Sequence, residues 1–390
     1  MINIFSDPMR RNPFPLYDQL RSTSPVMHEP RTGLWMIFDY DGVQRTLTDH
    51  QNFSSRLGPA QWMGFNDPPR HTKLRALVCR AFTPKSVVNL EPRIADLSRR
   101  LLDAVVSNGA MDLAADYSIQ LPMLVIAEML GIASDDLGQF KRWNDVILDM
   151  SFTIGAPKTE TAPVVQAFEA ATGEMSEYLR RVLAQRRSRP RDDLLTRLSE
   201  ADIDGQRLTH EEILGFFQLL LLAGQETTTN LINNAILSLL EHPDQLELLR
   251  QQINLLPSAI EEVLRYRSPL QWMIRRTTRD TAMPMNGGTV TIPAGKVVLA
   301  MIGSANRDPQ YFSDANRFDL HRSPNPHIAF GHGVHFCLGA PLARLEARIA
   351  LTDLLTRLHD LKRATDEPWE PRKALHVHGP TRLPVTFKPE

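Results

Sequence analysis

A single thiol, Cys337, lies in the segment FGHGVHFCLGAPLARLEARIAL, where a glycine-rich loop leads into an apolar pattern. From Leu338 onward apolar residues recur at helical spacing, which predicts a helix that tolerates Pro341 in its first turn. Unpaired N–H groups at a helix start favour a thiolate, the form of cysteine that binds metal. Glycine backbones also allow the close approach of a flat partner. The loop glycines are Gly331, Gly333 and Gly339. Together these features predict that Cys337 is a metal ligand.

Three interpretations of Cys337 are open on these residues alone. A lone cysteine in a protein is most often a small buried side chain. A zinc site would use His332, His335 and Cys337, but these residues are crowded and have no fourth ligand nearby. A haem iron needs one thiolate, a glycine-rich approach and a helix start, and the segment has all three. Haem ligation is therefore the favoured interpretation.

Glu226 and Thr227 are a second candidate for chemistry, because an acid stands beside an alcohol in an apolar helix predicted for residues 210–242. Their segment AGQETTTN contains poor helix formers, and threonine hydroxyls can bond carbonyls one turn earlier and bend a helix. The plain interpretation makes Gly224 a contact between helices and Glu226 a satisfied buried carboxylate. Burying such a pair is costly unless it is paired or functional, so we predict a proton relay.

The charge and cysteine content of the whole chain narrow the class of protein to which these groups belong. Its 390 residues carry 44 Lys+Arg and 45 Asp+Glu, a net charge of -1, which gives no sign of a nucleic-acid or membrane-surface partner. Only Cys79 accompanies Cys337, so no disulfide framework is expected, and free thiols are typical of a reducing cytosol. The first residues show neither a signal peptide nor a membrane anchor. A cytoplasmic protein is expected.

Periodicity predicts a mainly helical chain with a small β region. Residues 72–242 show successive amphipathic patterns, for example IADLSRRLLDAVV. The clearest strands are LWMIF at 34–38 and TVTIPAGKVVLAM at 289–301, in which Pro293, Ala294 and Gly295 interrupt the pattern as a hairpin turn would. No interdomain linker is evident, so we predict one domain over 1–390. Its β-rich parts are expected near 30–60, 270–305 and 370–390.

Several charged residues complete the candidate set. Glu262 and Arg265 lie one helical turn apart, and Arg317 could join them, although such pairs are commonly solvated surface charges. If a dianionic cofactor is buried, its carboxylates need charged hydrogen-bond donors. The available donors are His71, Arg75, Arg275 and Arg276.

These motifs together resemble a soluble bacterial cytochrome P450, a haem-thiolate monooxygenase. FGHGVHFCLG at 330–339 is similar to the family's cysteine-ligand loop, AGQETT at 223–228 to its oxygen-activation motif, and EVLR at 262–265 to its Glu-x-x-Arg signature. Further similar segments are DPPRHTKLR at 67–75, RRTTRD at 275–280 and SANRDP at 304–309. The resemblance implies the family's triangular, mostly α single-domain fold, with a long central helix over haem b.

The resemblance also implies roles for particular residues. Cys337 would be the iron ligand, Glu226 and Thr227 would deliver protons to bound dioxygen, and Glu262, Arg265 and Arg317 would support the fold. The implied cofactor-binding residues are His71, Arg75, Ala223, Arg275, Phe330, His335, Cys337 and Gly339. The implied walls of a pocket for a hydrophobic organic substrate are Trp62, Met63, Leu219, Leu222, Ala223, Met273, Ile274, His376 and Val377.

The same resemblance leaves no residues for a flavin or nicotinamide domain, which implies a separate ferredoxin and ferredoxin reductase as electron donors. Lys73, Arg80 and Arg344 are possible contacts for an acidic ferredoxin, and ordinary solvated charge explains them equally well. The implied reaction is hydroxylation or epoxidation. Oxidative coupling by a haem-thiolate oxidase is an alternative, and a haem sensor is a further one, although no output module is evident.

Overall fold

The computed structural model describes residues 6–151, 158–285, 287–372 and 374–389. The described chain is mainly helical with small β-sheets, which confirms the predicted class. Its α-helices are α1 (Asp7–Arg11), α2 (Phe14–Thr23), α3 (Tyr40–Thr48), α4 (Arg70–Ala81), α5 (Pro84–Val88), α6 (Glu91–Asp103), α7 (Gln120–Leu130), α8 (Leu137–Ser151), α9 (Lys158–Ser188), α10 (Leu194–Glu200), α11 (His210–Glu241), α12 (Pro243–Gln251), α13 (Leu256–Tyr266), α14 (Ile302–Ala305) and α15 (Ala340–Arg357).

The β-strands are short and form four small sheets among the described residues. They are β1 (Val26–Glu29), β2 (Leu34–Ile37), β3 (Phe53–Ser54), β4 (Ala110–Asp112), β5 (Asp202–Ile203), β6 (Gln206–Arg207), β7 (Met273–Thr277), β8 (Thr281–Met285), β9 (Gly288–Ile292), β10 (Val297–Ala300), β11 (Leu358–Arg363) and β12 (Pro384–Pro389). The largest sheet has the order β1-β2-β10-β7-β3, and only its β2/β10 pair is parallel. Strands β4 and β11, which pair with β12, lie outside the β-rich parts expected from the sequence.

The hairpin expected at Pro293, Ala294 and Gly295 was wrong, although the segment does turn. Strand β9 pairs with β8, whereas β10 pairs with β2 and β7. The turn is held by a third strand, because Thr277 of β7 accepts the Gly295 N–H at 2.8 Å and donates its hydroxyl to the Pro293 carbonyl at 2.6 Å. These bonds direct β10 away from β9 and into the larger sheet.

The chain divides into two compact units whose segments alternate along the sequence. The first unit comprises Met1–Ser55, Arg93–Leu121 and Thr227–Glu390, and the second comprises Arg56–Pro92 and Pro122–Glu226. The first unit contains the largest sheet and the cysteine loop, which we define as residues 330–339. The second contains α4 and α7 to α10. Helix α11 contributes to both, and the expectation of one domain stays a prediction.

Helix α11 runs without interruption through the predicted apolar segment. Its glycines mark close contacts within the second unit, since a Cβ at Gly215 would lie 2.3 Å from the Gln61 carbonyl oxygen and one at Gly224 would lie 2.7 Å from Ile126 of α7. The plain interpretation of Gly224 as a contact between helices is therefore supported. Thr229 donates its hydroxyl to the Ser118 carbonyl at 2.9 Å instead of bonding the preceding turn.

A buried ion cluster fixes α13 within the first unit. Arg265 and Glu262 are fully buried and share two hydrogen bonds of 2.8 Å. The third member of the cluster is Arg322, whose Nε lies 3.1 Å from a Glu262 carboxylate oxygen. The expected third member, Arg317, takes part only through its backbone carbonyl, which accepts from Arg265 at 2.9 Å. The alternative of a solvated surface pair does not hold for Glu262 and Arg265, because both carboxylate and guanidinium are enclosed.

Glu346 is a buried carboxyl group in α15, the helix that follows the cysteine loop. It is 2 % exposed, and its Oε2 has no hydrogen-bond partner among the described residues. Burial disfavours the charged form and raises the pKa of Glu346 from 4.5 to about 8. The folded protein therefore holds this proton at pH values where the unfolded chain has released it.

We expect Glu346→Gln to stabilise the protein at pH 8 and to leave stability almost unchanged near pH 4. Below pH 4.5 both states of the wild type are protonated, so a neutral amide brings no advantage. Between pH 4.5 and 8 only the unfolded chain loses the proton, so wild-type stability falls as pH rises. The gain at pH 8 should be roughly 2–4 kcal/mol in the free energy of unfolding by urea. The matched change Glu200→Gln, at an exposed site, should alter it by less than about 0.5 kcal/mol. An equal effect of Glu346→Gln at both pH values would contradict this account.

Candidate active site

The cysteine loop holds Cys337 by its backbone. The Cys337 N–H donates to the Phe330 carbonyl at 2.9 Å, which closes the loop across one 3₁₀ turn at Gly333–His335. Gly331 and Gly333 adopt φ of 73° and 70°, a conformation that L side chains rarely take. Helix α15 begins at Ala340, two residues later than expected, so the thiol precedes the helix by three residues.

The surroundings of the thiol fit a flat group better than a tetrahedral metal site. Cys337 is half-buried, and Gly339 leaves no side chain beside its sulfur, where a Cβ would make an ordinary van der Waals contact at 3.8 Å. No three His, Cys, Asp or Glu residues converge on a metal position within the described ranges. His335, one of the residues considered for zinc, instead places its Nε2 3.1 Å from the Ser55 hydroxyl.

Arg275 and His335, two of the cofactor-binding residues expected from the sequence, lie close together in the first unit. Arg275 is 4 % exposed in β7 and donates to the Ile274 carbonyl at 2.8 Å. Strand β3 pairs with β7 through Ser54 opposite Arg276, and the next residue, Ser55, contacts His335. The His335 imidazole and the strand that carries Arg275 are therefore close, as two donors for one acidic group would be.

Helix α4 carries the other two expected donors, and it belongs to the second unit. His71 is 1 % exposed and Arg75 is half-buried, and their spacing of four places both on one helix face. Lys73 and Arg80, the cations considered for a ferredoxin, are exposed on the same helix. Their exposure leaves both interpretations, docking contact and solvated charge, open.

One face of α11 stays accessible in the middle of an otherwise buried helix. Ala223 is exposed, and the other three members of the face are half-buried, whereas Gln225 and Glu226 beside them are buried at 5 % and 6 % exposure. The four residues that form this accessible face are Leu219, Leu222, Ala223 and Thr227. Their spacing of three and four follows the helical repeat. The face offers an apolar surface with one hydroxyl at its end.

Trp62 is held in place by a polar contact that sequence reasoning missed. Its indole N–H donates to the Gln218 side-chain carbonyl at 2.8 Å, and the Gln218 amide donates to the Thr172 hydroxyl at 2.9 Å. Trp62 and Met63 are 4 % and 7 % exposed, and the Phe65 ring stacks on Trp62. The only sequence signal was a glutamine in an apolar helix, where a buried amide needs a partner.

The remaining expected pocket residues lie on β7 or near it in the first unit, and the structure does not bring all four side chains to one surface. Met273 and Ile274 are half-buried in β7, and Val377 bridges to Leu270 nearby. The His376 carbonyl accepts from the Gln271 N–H at 2.7 Å. Burial lowers the pKa of His376 to about 4, so its imidazole is neutral near pH 7. The His376 ring packs against Trp272, with 5.7 Å between the ring centres, whereas Met273 and Ile274 pack against two different core clusters.

Comparison with known proteins decides the family. The family model described as Cytochrome P450 matches residues 30–378. The chain belongs to the cytochrome P450 family. It is 43% identical to Cytochrome P450 109 of Bacillus spizizenii, over 100% of this chain and 95% of the relative. It is 37% identical to the vitamin D(3) 25-hydroxylase of Pseudonocardia autotrophica, over 99% and 96%. The crystal structure of CYP109E1 from Bacillus megaterium in complex with corticosterone is 40% identical, covers 98% of this chain and 100% of that one, and gives a TM-score of 0.89.

Membership confirms the expected fold, the class of enzyme and the cofactor. This P450 is a monooxygenase with the family's fold, and the family uses haem b with a cysteine thiolate ligand and O2. The cysteine loop fits such a group, because its thiol is accessible beside a glycine. None of the helices in the described part of the chain combines the length and the apolar content that crossing a lipid bilayer requires.

Proposed function

We propose that this P450 inserts one oxygen atom of O2 into a bulky hydrophobic molecule, by hydroxylation or epoxidation. The accessible face of α11 carries this proposal, since it presents leucine and alanine side chains and ends at the hydroxyl of Thr227. Two relatives support a polycyclic or steroid-like substrate, because one is named a vitamin D(3) 25-hydroxylase and another was crystallised with corticosterone. Apolar walls with few polar groups are typical of sites for such ligands.

Cys337 is the residue that we propose as the iron ligand. When bound, haem supplies the binding and reductive activation of O2, which a thiolate ligand favours by donating electron density. The loop bond from the Cys337 N–H to Phe330 fixes the direction of the thiol. The groups that would bind the haem propionates are His71, Arg75, Arg275 and His335, and the residues that would pack against the ring are Ala223, Phe330 and Gly339.

Thr227 and Glu226 are the residues that we propose to supply protons. Thr227 lies on the accessible face of α11, where its hydroxyl would be the proton donor on the side of the helix that the haem site faces. Glu226 is 6 % exposed and follows Gln225, whose side-chain carbonyl accepts from Asn144. A buried carboxyl group next to the donor can return the proton that the hydroxyl gives up. Consecutive side chains of a helix do not face each other, so this transfer would need a water molecule between the two groups.

Electrons would come from a separate ferredoxin and its reductase in the cytoplasm. The presence of only two cysteines is consistent with that location. Exposed Lys73 and Arg80 on α4 offer positive charge to an acidic partner. Reconstitution with a ferredoxin and its reductase should support turnover, and the rate should fall as salt rises.

Thr227→Ala should uncouple oxygen use from product formation. The variant lacks the hydroxyl that we propose as the proton donor, and positioned proton transfer is worth about 10²-fold or more in rate. We expect the rate of product formation to fall by that factor while O2 consumption continues. Measurement of product and O2 in the same reaction tests this. Thr227→Ser keeps the hydroxyl and should retain coupling, and wild-type coupling in the alanine variant would remove Thr227 from the mechanism.

Titration of the purified haem protein with corticosterone tests the substrate class. A bulky apolar ligand that displaces water from the iron should shift the Soret band from its low-spin to its high-spin position. A small apolar molecule such as cyclohexane is the matched control, and it should bind at least about tenfold more weakly because it buries less apolar surface. Tighter binding of the small molecule would contradict a bulky substrate.

A further inference from the structure

Three charged or titratable side chains form a cluster around Arg344, which lies on the helix that follows the cysteine loop. Arg344 in α15 donates to both carboxylate oxygens of Glu261 in α13, at 2.6 Å from Nε and 2.8 Å from Nη2. The Nε2 of His327 lies 2.9 Å from the same carboxylate. We name Glu261, His327 and Arg344 the arginine clamp. Its two-point contact fixes the guanidinium in one orientation, which a single contact would not do.

The arginine clamp is joined to the iron-ligand candidate through Phe330. The Arg344 guanidinium carbon lies 4.5 Å from the centre of the Phe330 ring, and the Phe330 carbonyl accepts the Cys337 N–H at 2.9 Å. Hydrogen bonds to Glu261 raise the pKa of Arg344 against the effect of burial, and the charges of Glu261 and Cys337 add to that rise. The cation therefore lies against Phe330, the residue whose carbonyl holds the Cys337 backbone.

Glu261 remains a carboxylate in this arrangement. Burial acts to raise the pKa of Glu261, but the hydrogen bonds from Arg344 and His327 outweigh burial and lower it to about 2. At neutral pH the arginine clamp therefore holds one positive and one negative group in fixed positions, with the positive group against Phe330. The interpretation of Arg344 as a free docking cation does not match these contacts, because its side chain is only 37 % exposed and is bound to Glu261.

We propose that Arg344, held by Glu261, is a positioning residue that sets the electrostatic balance at the Cys337 sulfur and thereby the reduction potential of the haem iron. This inference rests on Cys337 being the iron ligand. Reduction adds negative charge to the iron and its thiolate, so a fixed cation nearby favours the reduced form and a fixed anion disfavours it. Charge close to the ligand sulfur is one of the means by which proteins tune such potentials.

Two single variants should shift the potential in opposite directions. Arg344→Gln removes the cation and leaves the Glu261 carboxylate, so the midpoint potential should become more negative. Glu261→Gln leaves the cation without its counter-charge, so the potential should become more positive. The double variant removes both charges, so its midpoint potential should lie between those of the single variants and near that of the wild type. General damage to the cysteine loop would shift the midpoint potentials of both single variants in the same direction.

The test is a spectroelectrochemical titration of the haem-bound wild type, the three variants and Arg357→Gln. Arg357 occupies the last turn of α15 and pairs with Asp103 at 2.8 Å, so it is a matched control whose loss should not change the potential. If Arg344→Gln does not retain haem, the sign of the shift in Glu261→Gln decides the question. Unchanged potentials, or shifts of the same sign, would overturn the proposal.

Two further measurements separate this proposal from failure of the proposed iron ligand and from a docking role for Arg344. The carbon monoxide complex of the reduced wild type is recorded first, and absence of the red-shifted band of a thiolate-bound haem would contradict Cys337 ligation itself. The rate of reduction by ferredoxin is measured on the same samples. A slower rate in Arg344→Gln at an unchanged potential would assign Arg344 to docking and would overturn the tuning role.

Discussion

Replacement of Cys337 by serine should abolish oxygenation. A serine hydroxyl is a far weaker ligand and electron donor than a thiolate, so O–O cleavage loses its main driving force from the protein. We expect the carbon monoxide complex of the reduced variant to lose the strongly red-shifted Soret band and product to fall below detection. Absorption spectra and product analysis on the same preparation measure both effects.

Cys79→Ser is the control for the loss of a thiol. Cys79 is an exposed free cysteine on α4, and its replacement should leave the spectrum and the turnover unchanged. A red-shifted band that survives in Cys337→Ser would show that another residue binds the iron. The same band lost in Cys79→Ser would point to α4 instead of the cysteine loop.

Arg265→Met should cause the largest loss of stability. The variant removes a fully buried cation that donates to Glu262 and to three backbone carbonyls, those of Asn306, Ala315 and Arg317. Breaking a buried ion pair from one side costs about 3–5 kcal/mol, since the remaining charge and carbonyls stay enclosed. Unfolding of the haem-bound protein by urea measures the loss.

An exposed ion pair supplies the comparison for Arg265. Arg180 and Glu177 form a pair on α9 with both side chains more than half exposed, so Arg180→Ala should cost less than about 1 kcal/mol. A cost of that small size for Arg265→Met would mean that the cluster is not needed to hold α13, and that nearby water or repacking replaces its bonds.

Local sequence was enough to predict the elements that carry chemistry. The apolar helix α11, the strand β2 and the loop around Cys337 were all identified, because helical repeats, strand residues and glycine positions act over a few neighbouring residues. The grouping of charged residues was predicted only in part. Glu262 and Arg265 are one turn apart, so their pairing follows from helix geometry, whereas the choice of Arg322 over Arg317 depends on which side chain of a loop turns inward.

Contacts between distant segments were beyond such reasoning. The segment 293–295 was correctly predicted to turn, but its partner is Thr277 and the following strand joins β2 from the beginning of the chain. Arg344 was considered as a solvated cation because its partner, Glu261, is 83 positions away and carries no local sign of the pairing. Periodicity determines which face of an element is buried, and it does not determine which element covers that face.

The alternation of the two units along the sequence has a consequence for the order in which the chain folds during synthesis. A ribosome has released both segments of the second unit once Glu226 has emerged, whereas the first unit still lacks its longest segment. The parallel pairing of β2 with β10 must wait for residues near 300, and pairings between such distant segments form slowly. We therefore expect the second unit to collapse first. The cysteine loop is synthesised after both segments of the second unit, so we expect any haem binding that needs Cys337 to follow the collapse of that unit.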